Sequence, residues 1–264
     1  MDNAQIKDMV RARYGRIAAA REASCCEPAT TACCGPEATE DFDAKARRIG
    51  YSAAELAAVP DGANLGLGCG NPQAIAAMQP GETVVDLGSG AGFDCFLAAQ
   101  QVGASGRVIG VDMTHEMLKK ARDNAAAIGA ANVEFRLGEL EHLPIADNTA
   151  QVVISNCVIN LVPDKEQVFR EAFRVLQPGG RLAVSDVINT APLPAELAAD
   201  PSLLCGCVAG AASAERIAAS LAAAGFVDVR VTPKPASRAF IATWAPGRGI
   251  EDHVVSAIVE ARKP

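Results

Sequence analysis

The apolar run TVVDL at 83–87 leads straight into Asp86-Leu87-Gly88-Ser89-Gly90-Ala91-Gly92, and a helical pattern starts at about Phe93. Glycine at three alternating positions lets the backbone turn tightly and approach a ligand beside a helix N-terminus, as strand–turn–helix units of parallel α/β folds do. The flanking sequence extends that pattern. Further strands are expected at Arg107–Val111, Val133–Leu137, Val152–Ser155 and Arg181–Val187. Between them, Met117, Ala121, Ala125 and Ile128 share one helix face between Thr114 and Gly129, and Asp164 with Gln167 opens a helix that ends at Pro178-Gly179-Gly180. Alternating strands and helices predict an α/β fold with a parallel sheet covered on both faces.

Outside this core the pattern changes. Ser213–Ala224 reads as a helix closed by Gly225, Val227–Val231 and Arg238–Trp244 as an antiparallel hairpin, and Val254, Val255, Ile258 and Val259 as one face of a C-terminal amphipathic helix. Residues 2–20 are helical by period, through Ile6, Met9, Val10 and Ile17, and 21–40 are polar and cysteine-rich. The expected organisation is an N-terminal helix and cysteine-bearing arm over 1–60, a cofactor-binding core over 61–190, and an acceptor-side extension over 191–264 that completes the sheet.

Half of the 264 residues are apolar, the net charge is −7 and no basic stripe appears, which argues against nucleic acid as a partner. The charged N-terminus lacks the apolar core of a signal peptide, and no run approaches the ~20 apolar residues of a membrane span. Nine cysteines, an odd number, therefore read as thiols of a reducing cytoplasm and not as a disulfide framework.

At the end of the second strand, Asp112 can accept both hydroxyls of a ribose. So far a nicotinamide dehydrogenase would fit as well. However, a G-x-G-x-x-G fingerprint starting at Gly88 needs its third glycine where Phe93 stands. The pattern present, D-x-G-x-G-x-G, suits a ligand without a pyrophosphate. With Gln177-Pro178-Gly179-Gly180 before the fifth strand and the C-terminal hairpin, it resembles the Rossmann-like methyltransferases. That resemblance implies a mostly parallel seven-stranded sheet with a C-terminal antiparallel hairpin, and S-adenosylmethionine as methyl donor. It assigns Asp86, Gly88, Ser89, Gly90, Gly92, Asp112, Met113 and Asn156 to the donor. The acid after the third strand, Glu139 in Leu137-Gly138-Glu139, goes to the adenine, with Glu141 as the rival two residues on.

Among the cysteines, Cys95 lies between Phe93, Phe96 and Leu97 and reads as a small buried hydrophobe. Cys157, in contrast, follows Ser155-Asn156 at the ligand-binding edge of the sheet. The segment Ser155-Asn156-Cys157-Val158-Ile159-Asn160-Leu161-Val162-Pro163-Asp164-Lys165, together with Asp86–Cys95, resembles the arsenite S-adenosylmethionine methyltransferases over roughly residues 50–230. By that likeness Cys157 and Cys207, the latter in Cys207-Val208-Ala209-Gly210-Ala211, grip As(III). Cys69, in Gly68-Cys69-Gly70-Asn71-Pro72, is a third thiol for binding or disulfide relay. A fourth lies among Cys25, Cys26, Cys33 and Cys34, whose adjacent pairs lack zinc-ribbon spacing and suit an arsenic-capture arm.

The chemistry agrees with the likeness. Soft thiolates select thiophilic As(III), whose lone pair can attack a sulfonium methyl without a general base, and depressed cysteine pKa values are expected. The resemblance implies arsenite or its glutathione and other thiol conjugates as substrate, and a thiol reductant such as thioredoxin or glutathione. Two departures stand out. Leu67 occupies a position that is aromatic in many relatives, so any ring facing the sulfonium must come from elsewhere. Cys205 doubles Cys207 and reads as a spare buried thiol. The rival readings are a methyltransferase for a small organic acceptor such as a quinone ring carbon, and a metalloid-binding protein without turnover.

Overall fold

Runs rich in Val and Ile supply most strands of one sheet. The computed structural model describes residues 1–20 and 41–264, so the expectations for the arm at 21–40 lie outside the described residues. The strands are β1 (Thr83–Leu87), β2 (Arg107–Asp112), β3 (Val133–Leu137), β4 (Ala150–Asn156), β5 (Leu176–Asn189), the two-residue β6 (Ala212–Ser213), β7 (Val227–Lys234) and β8 (Val254–Arg262). Their order in space is β3-β2-β1-β4-β5-β8-β7, with β6 beside the end of β5. β1 to β5 run parallel, and β8 lies antiparallel to both β5 and β7. After β3 the chain crosses back to put β4 beside β1, so a crevice opens at the C-terminal ends of those two strands, where ligands bind in such sheets.

The helices of the N-terminal half are α1 (Asn3–Ala20), α2 (Phe42–Arg48), α3 (Ala53–Ala57), α4 (Gln73–Ala76), α5 (Phe93–Val102) and α6 (His115–Ile128). Those of the C-terminal half are α7 (Lys165–Val175), α8 (Ala195–Ala198), α9 (Pro201–Leu204), α10 (Ala214–Ala223) and α11 (Arg238–Ile241). Phe96 of α5 and Leu118 of α6 pack on one face of the sheet with Val84, Val108 and Ile154. Val168 and Phe169 of α7 and Leu221 of α10 pack on the other with Leu87, Ile109 and Val153. Each such buried Leu, Phe or Ile stabilises the fold by roughly 1.5–3 kcal/mol. The Asp164 carboxylate caps α7 by accepting the Gln167 N–H at 2.9 Å. The reciprocal half of the box does not form, because the Gln167 side chain donates to the Glu141 carbonyl at 3.0 Å.

The C-terminal region departs from expectation. Arg238–Ile241 is a helical turn, not a strand, and Val254–Arg262, expected to be a helix, is β8. The antiparallel pair is therefore β7 with β8. The cause is the position of β8 between β5 and β7: Val254, Val255, Ala257, Val259 and Ala261 are all buried, on both faces. A strand covered on both faces loses its alternation, and its apolar residues then mimic a helix face.

Candidate active site

Gly88, Gly90 and Gly92 all take positive φ, at 76°, 51° and 93°, and their roles differ. A Cβ on Gly88 would lie 2.5 Å from Val158, and one on Gly92 2.8 Å from the rings of Phe135 and Phe96, so Gly92 serves the packing beneath the loop. A Cβ on Gly90 would meet nothing nearer than the Met117 sulfur at 4.0 Å, so this residue faces open space. The Asp112 carboxylate braces the turn. One oxygen accepts the Gly90 N–H at 2.9 Å and the other the Thr114 N–H at 2.8 Å. Asp112 also lines the cavity beside the loop, where a carboxylate can accept ribose hydroxyls. Burial pushes the Asp112 pKa up against the pull of these bonds. Asp86 is buried too and accepts the Cys95 thiol at 3.2 Å; burial and the nearby Asp94 raise its pKa well above the ordinary range.

Beside this loop lies a cavity of about 650 Å³, a size usual for small-molecule sites. Asp86, Gly88, Ser89, Gly90, Asp112 and Met113 are part of its lining. Open space at Gly90 and a carboxylate at Asp112 in the lining fit S-adenosylmethionine. Glu139 is held elsewhere: it pairs with Lys7 at 2.6 Å and Arg11 at 3.3 Å, whereas Leu140 and Glu141 reach the cavity wall. The Asn156 side chain is largely taken by the protein. Its oxygen accepts the Cys69 N–H at 3.1 Å, and its amide donates to the Tyr51 hydroxyl and the Gly70 carbonyl, both at 2.9 Å. Asn156 thereby fixes the loop that carries Cys69.

The same cavity is lined by Cys157 and Cys207. Cys157 directly follows β4, and its N–H donates to the Ser185 carbonyl at 2.8 Å. Cys207 follows α9, and its thiol donates to the Cys157 carbonyl at 2.9 Å. Cys69, 3 % exposed, sits behind Cys157: their sulfurs and an Asp186 oxygen all lie within 4.8 Å of one another. The structure thus gathers Cys69, Cys157 and Cys207 at one place. Cys205 lines the cavity beside them, and its carbonyl accepts the Tyr14 hydroxyl at 3.2 Å. Cys95 lies apart, beneath the glycine loop. Cys25, Cys26, Cys33 and Cys34 fall outside the described residues.

Thiol pKa values are raised here, not depressed as expected. The Cys207 hydrogen bond favours the Cys157 thiolate, but the Cys69 thiol and burial outweigh it and hold Cys157 well above the ordinary value. The bond to Cys157 and burial do the same to Cys207, and burial raises Cys69. The thiols are thus neutral near pH 7, because their mutual hydrogen bonds and burial disfavour the thiolate.

Four aromatic residues line the cavity, Tyr14, Phe93, Phe240 and Trp244, while Leu67 contributes only an aliphatic side chain. Sequence reasoning did not assign Tyr14 or Lys7 of α1 to the site. The apolar period of α1 marks a buried face without saying what covers it. Nor did it single out Tyr51, whose hydroxyl donates to Asp94 at 2.7 Å, or Asp186, which no motif flags.

Comparison with known proteins bears on this geometry. A family model described as "Methyltransferase domain" matches residues 78–225. The chain is 54 % identical over 268 residues to an arsenite methyltransferase of Halobacterium salinarum, an alignment covering all of this chain and 68 % of that protein. It is 41 % identical over 157 residues to the human arsenite methyltransferase, across 56 % of this chain and 42 % of that one. The crystal structure of an arsenic(III) S-adenosylmethionine methyltransferase from Chlamydomonas reinhardtii superposes with a TM-score of 0.63 at 33 % identity, covering 83 % of this chain and 73 % of that chain.

Proposed function

The chain belongs to the arsenite methyltransferase family, and from that premise we propose that Cys157 and Cys207 hold arsenic for methylation while the glycine loop and Asp112 hold the methyl donor. The enzyme methylates thiol-bound arsenite, stepwise, to mono- and dimethylarsenicals. S-adenosylmethionine supplies a methyl group on a sulfonium. The observation that carries the site assignment is that Cys157 and Cys207, from two separate loops, open into the same cavity as Gly90 and Asp112.

Neutral thiols suit the capture step. Each thiol forms an As–S bond, and its proton leaves with an arsenic hydroxide as water, so no free thiolate has to accumulate. Held by sulfur, arsenic presents its lone pair to the methyl carbon, and the protein contributes chiefly orientation. Methylation raises arsenic from the trivalent to the pentavalent state. Return to As(III) takes two electrons, which Cys69 beside Cys157 suits, since two thiols supply them on forming a disulfide. A cytoplasmic thiol reductant such as thioredoxin or glutathione then restores the pair. Arg13, Lys45 and Arg48 in the lining suit the carboxylates of a glutathione conjugate.

A quinone-type acceptor would give no reason for three thiols at the sheet edge, and a binding protein no reason for a donor site beside them. Incubating the protein with arsenite, glutathione and S-adenosylmethionine and separating arsenic species by mass tests the reading. Mono- and dimethylated products are expected. Arsenite returned unmethylated would refute it.

A further inference from the structure

The buried carboxylate of Asp186, 4 % exposed, takes no part in the chemistry above. It lies near the sulfurs of Cys69 and Cys157, yet it is not built as a ligand. One oxygen accepts the N–H groups of Ile159 at 3.0 Å and Asn160 at 3.4 Å, the other the Asn160 side-chain amide at 2.9 Å and the Val187 N–H at 2.7 Å. A carboxylate offers about four acceptor positions, so none is left for a cation. Three of the four donors belong to the turn immediately after Cys157. The Asn160 amide also donates to the Val187 carbonyl at 2.6 Å, tying that turn to β5 a second time.

The other thiol loop is seated on the same turn. A Cβ on Gly210 would lie 2.1 Å from the Asn160 carbonyl oxygen, so the segment after Cys207 rests directly on that backbone. Both thiols also sit on backbone in the left-handed region, Cys157 at φ 58° and Cys207 at φ 64°. Non-glycine residues hold that conformation only where the surroundings over-determine it, and such strain gathers at functional sites.

We propose that Asp186 and Asn160 are positioning residues that clamp the Cys157 and Cys207 loops together, so that the two thiols close on one arsenic atom as a chelate. The clamp rests on the thiol assignment made above. It acts on the second As–S bond: either thiol alone would still react, but the pair would lose the effective concentration that one gives the other.

The test uses phenylarsine oxide, which binds two thiols with loss of water, on the full-length chain with Cys25, Cys26, Cys33 and Cys34 changed to serine. Asn160→Ala should weaken capture by ~10-fold or more, as loss of a second tethered contact does. Affinity for S-adenosylmethionine and the rate of Cys157 alkylation by iodoacetamide, read by peptide mass, should stay close to those of the parent. Gly210→Ala, which pushes the Cys207 loop off Asn160 without removing a polar group, should give the same split should Asn160→Ala not fold. Undiminished capture in both variants overturns the clamp, and so does a loss of capture, cofactor affinity and alkylation together. Cys157→Ser is the control. If that variant captures phenylarsine oxide as its parent does, the thiol assignment fails and not the clamp alone.

Discussion

At the scale of single residues the site divides into groups that touch the reactants and groups that hold them. On the proposed assignment Cys157 and Cys207 belong to the first kind. A serine hydroxyl is a hard ligand, so Cys157→Ser and Cys207→Ser should each lower arsenite methylation by roughly 100-fold or more. Calorimetric titration should find S-adenosylmethionine affinity little changed, and a serine variant that methylates arsenite at the parent rate would remove that cysteine from the site. Asp112 braces Gly90 and Thr114, and on the proposed reading it also takes the ribose. Asp112→Ala should therefore cost at least ~1–3 kcal/mol of donor binding, the usual penalty for unpaired buried polar groups, with arsenical capture intact. Unchanged donor affinity in a folded variant would move the ribose away from this carboxylate.

Among the elements, α1 has the most to do with access. Tyr14 reaches the Cys205 carbonyl, Arg13 donates to the Ser202 carbonyl at 3.1 Å, and Lys7 pairs with both Glu139 and Glu141. The helix thus bridges the loop after β3 and the loop carrying the acceptor thiols. Burial would lower the Lys7 pKa, but its bonds to Glu139 and Glu141 raise it above 10.5, and the Lys7 bond holds Glu139 below 4.5. The Glu139 contribution is full above pH 4.5 and is lost as pH falls through its depressed folded value. The Lys7 contribution is full below pH 10.5 and is lost as pH rises through its elevated one. The pairing is therefore intact across neutral pH. Glu139 is 36 % exposed, so screening limits its pair to roughly 0.2–1 kcal/mol. Lys7→Ala should lower the hydrogen-exchange protection of α1 a few-fold at neutral pH, and high salt or a pH well below 4.5 should do the same to the parent. Equal exchange under all these conditions would show that apolar packing alone docks the helix.

For the molecule as a whole, the question is how arsenic reaches neutral thiols of which only Cys157 is more than slightly exposed. The sequence expectation for Cys25, Cys26, Cys33 and Cys34 is capture and delivery. Replacing all four should then hurt most when arsenite is dilute. Inorganic arsenite offers three positions to sulfur and a monomethylated arsenical only two, so the methylated substrate should depend less on these cysteines and still need Cys157 and Cys207. Rates for both substrates in the four-cysteine variant, with elemental analysis of the purified parent, decide the matter. Stoichiometric zinc, or equal damage to both substrates, would sink the capture role.

The local sequence determined the parts whose physics is local. A glycine loop between a strand and a helix, an acid at the next strand end and alternating element types can hardly be read otherwise, because tight turns and strand termini are set by neighbours in the chain. The tertiary structure decided the rest. Val254–Arg262 became a strand because β5 and β7 pair with both of its edges, which no period could announce. Gly92, grouped with the donor site by its motif, proved to be spaced for Phe96 and Phe135. Glu139, the adenine candidate by position, was drawn to Lys7, a residue 132 places away in the chain. The thiol pKa values went up because distant segments bring the three thiols against one another and bury them. Residue type fixes which bonds a group can make, but which partner it meets, and how dry the meeting place is, depends on contacts that form only when the whole chain closes.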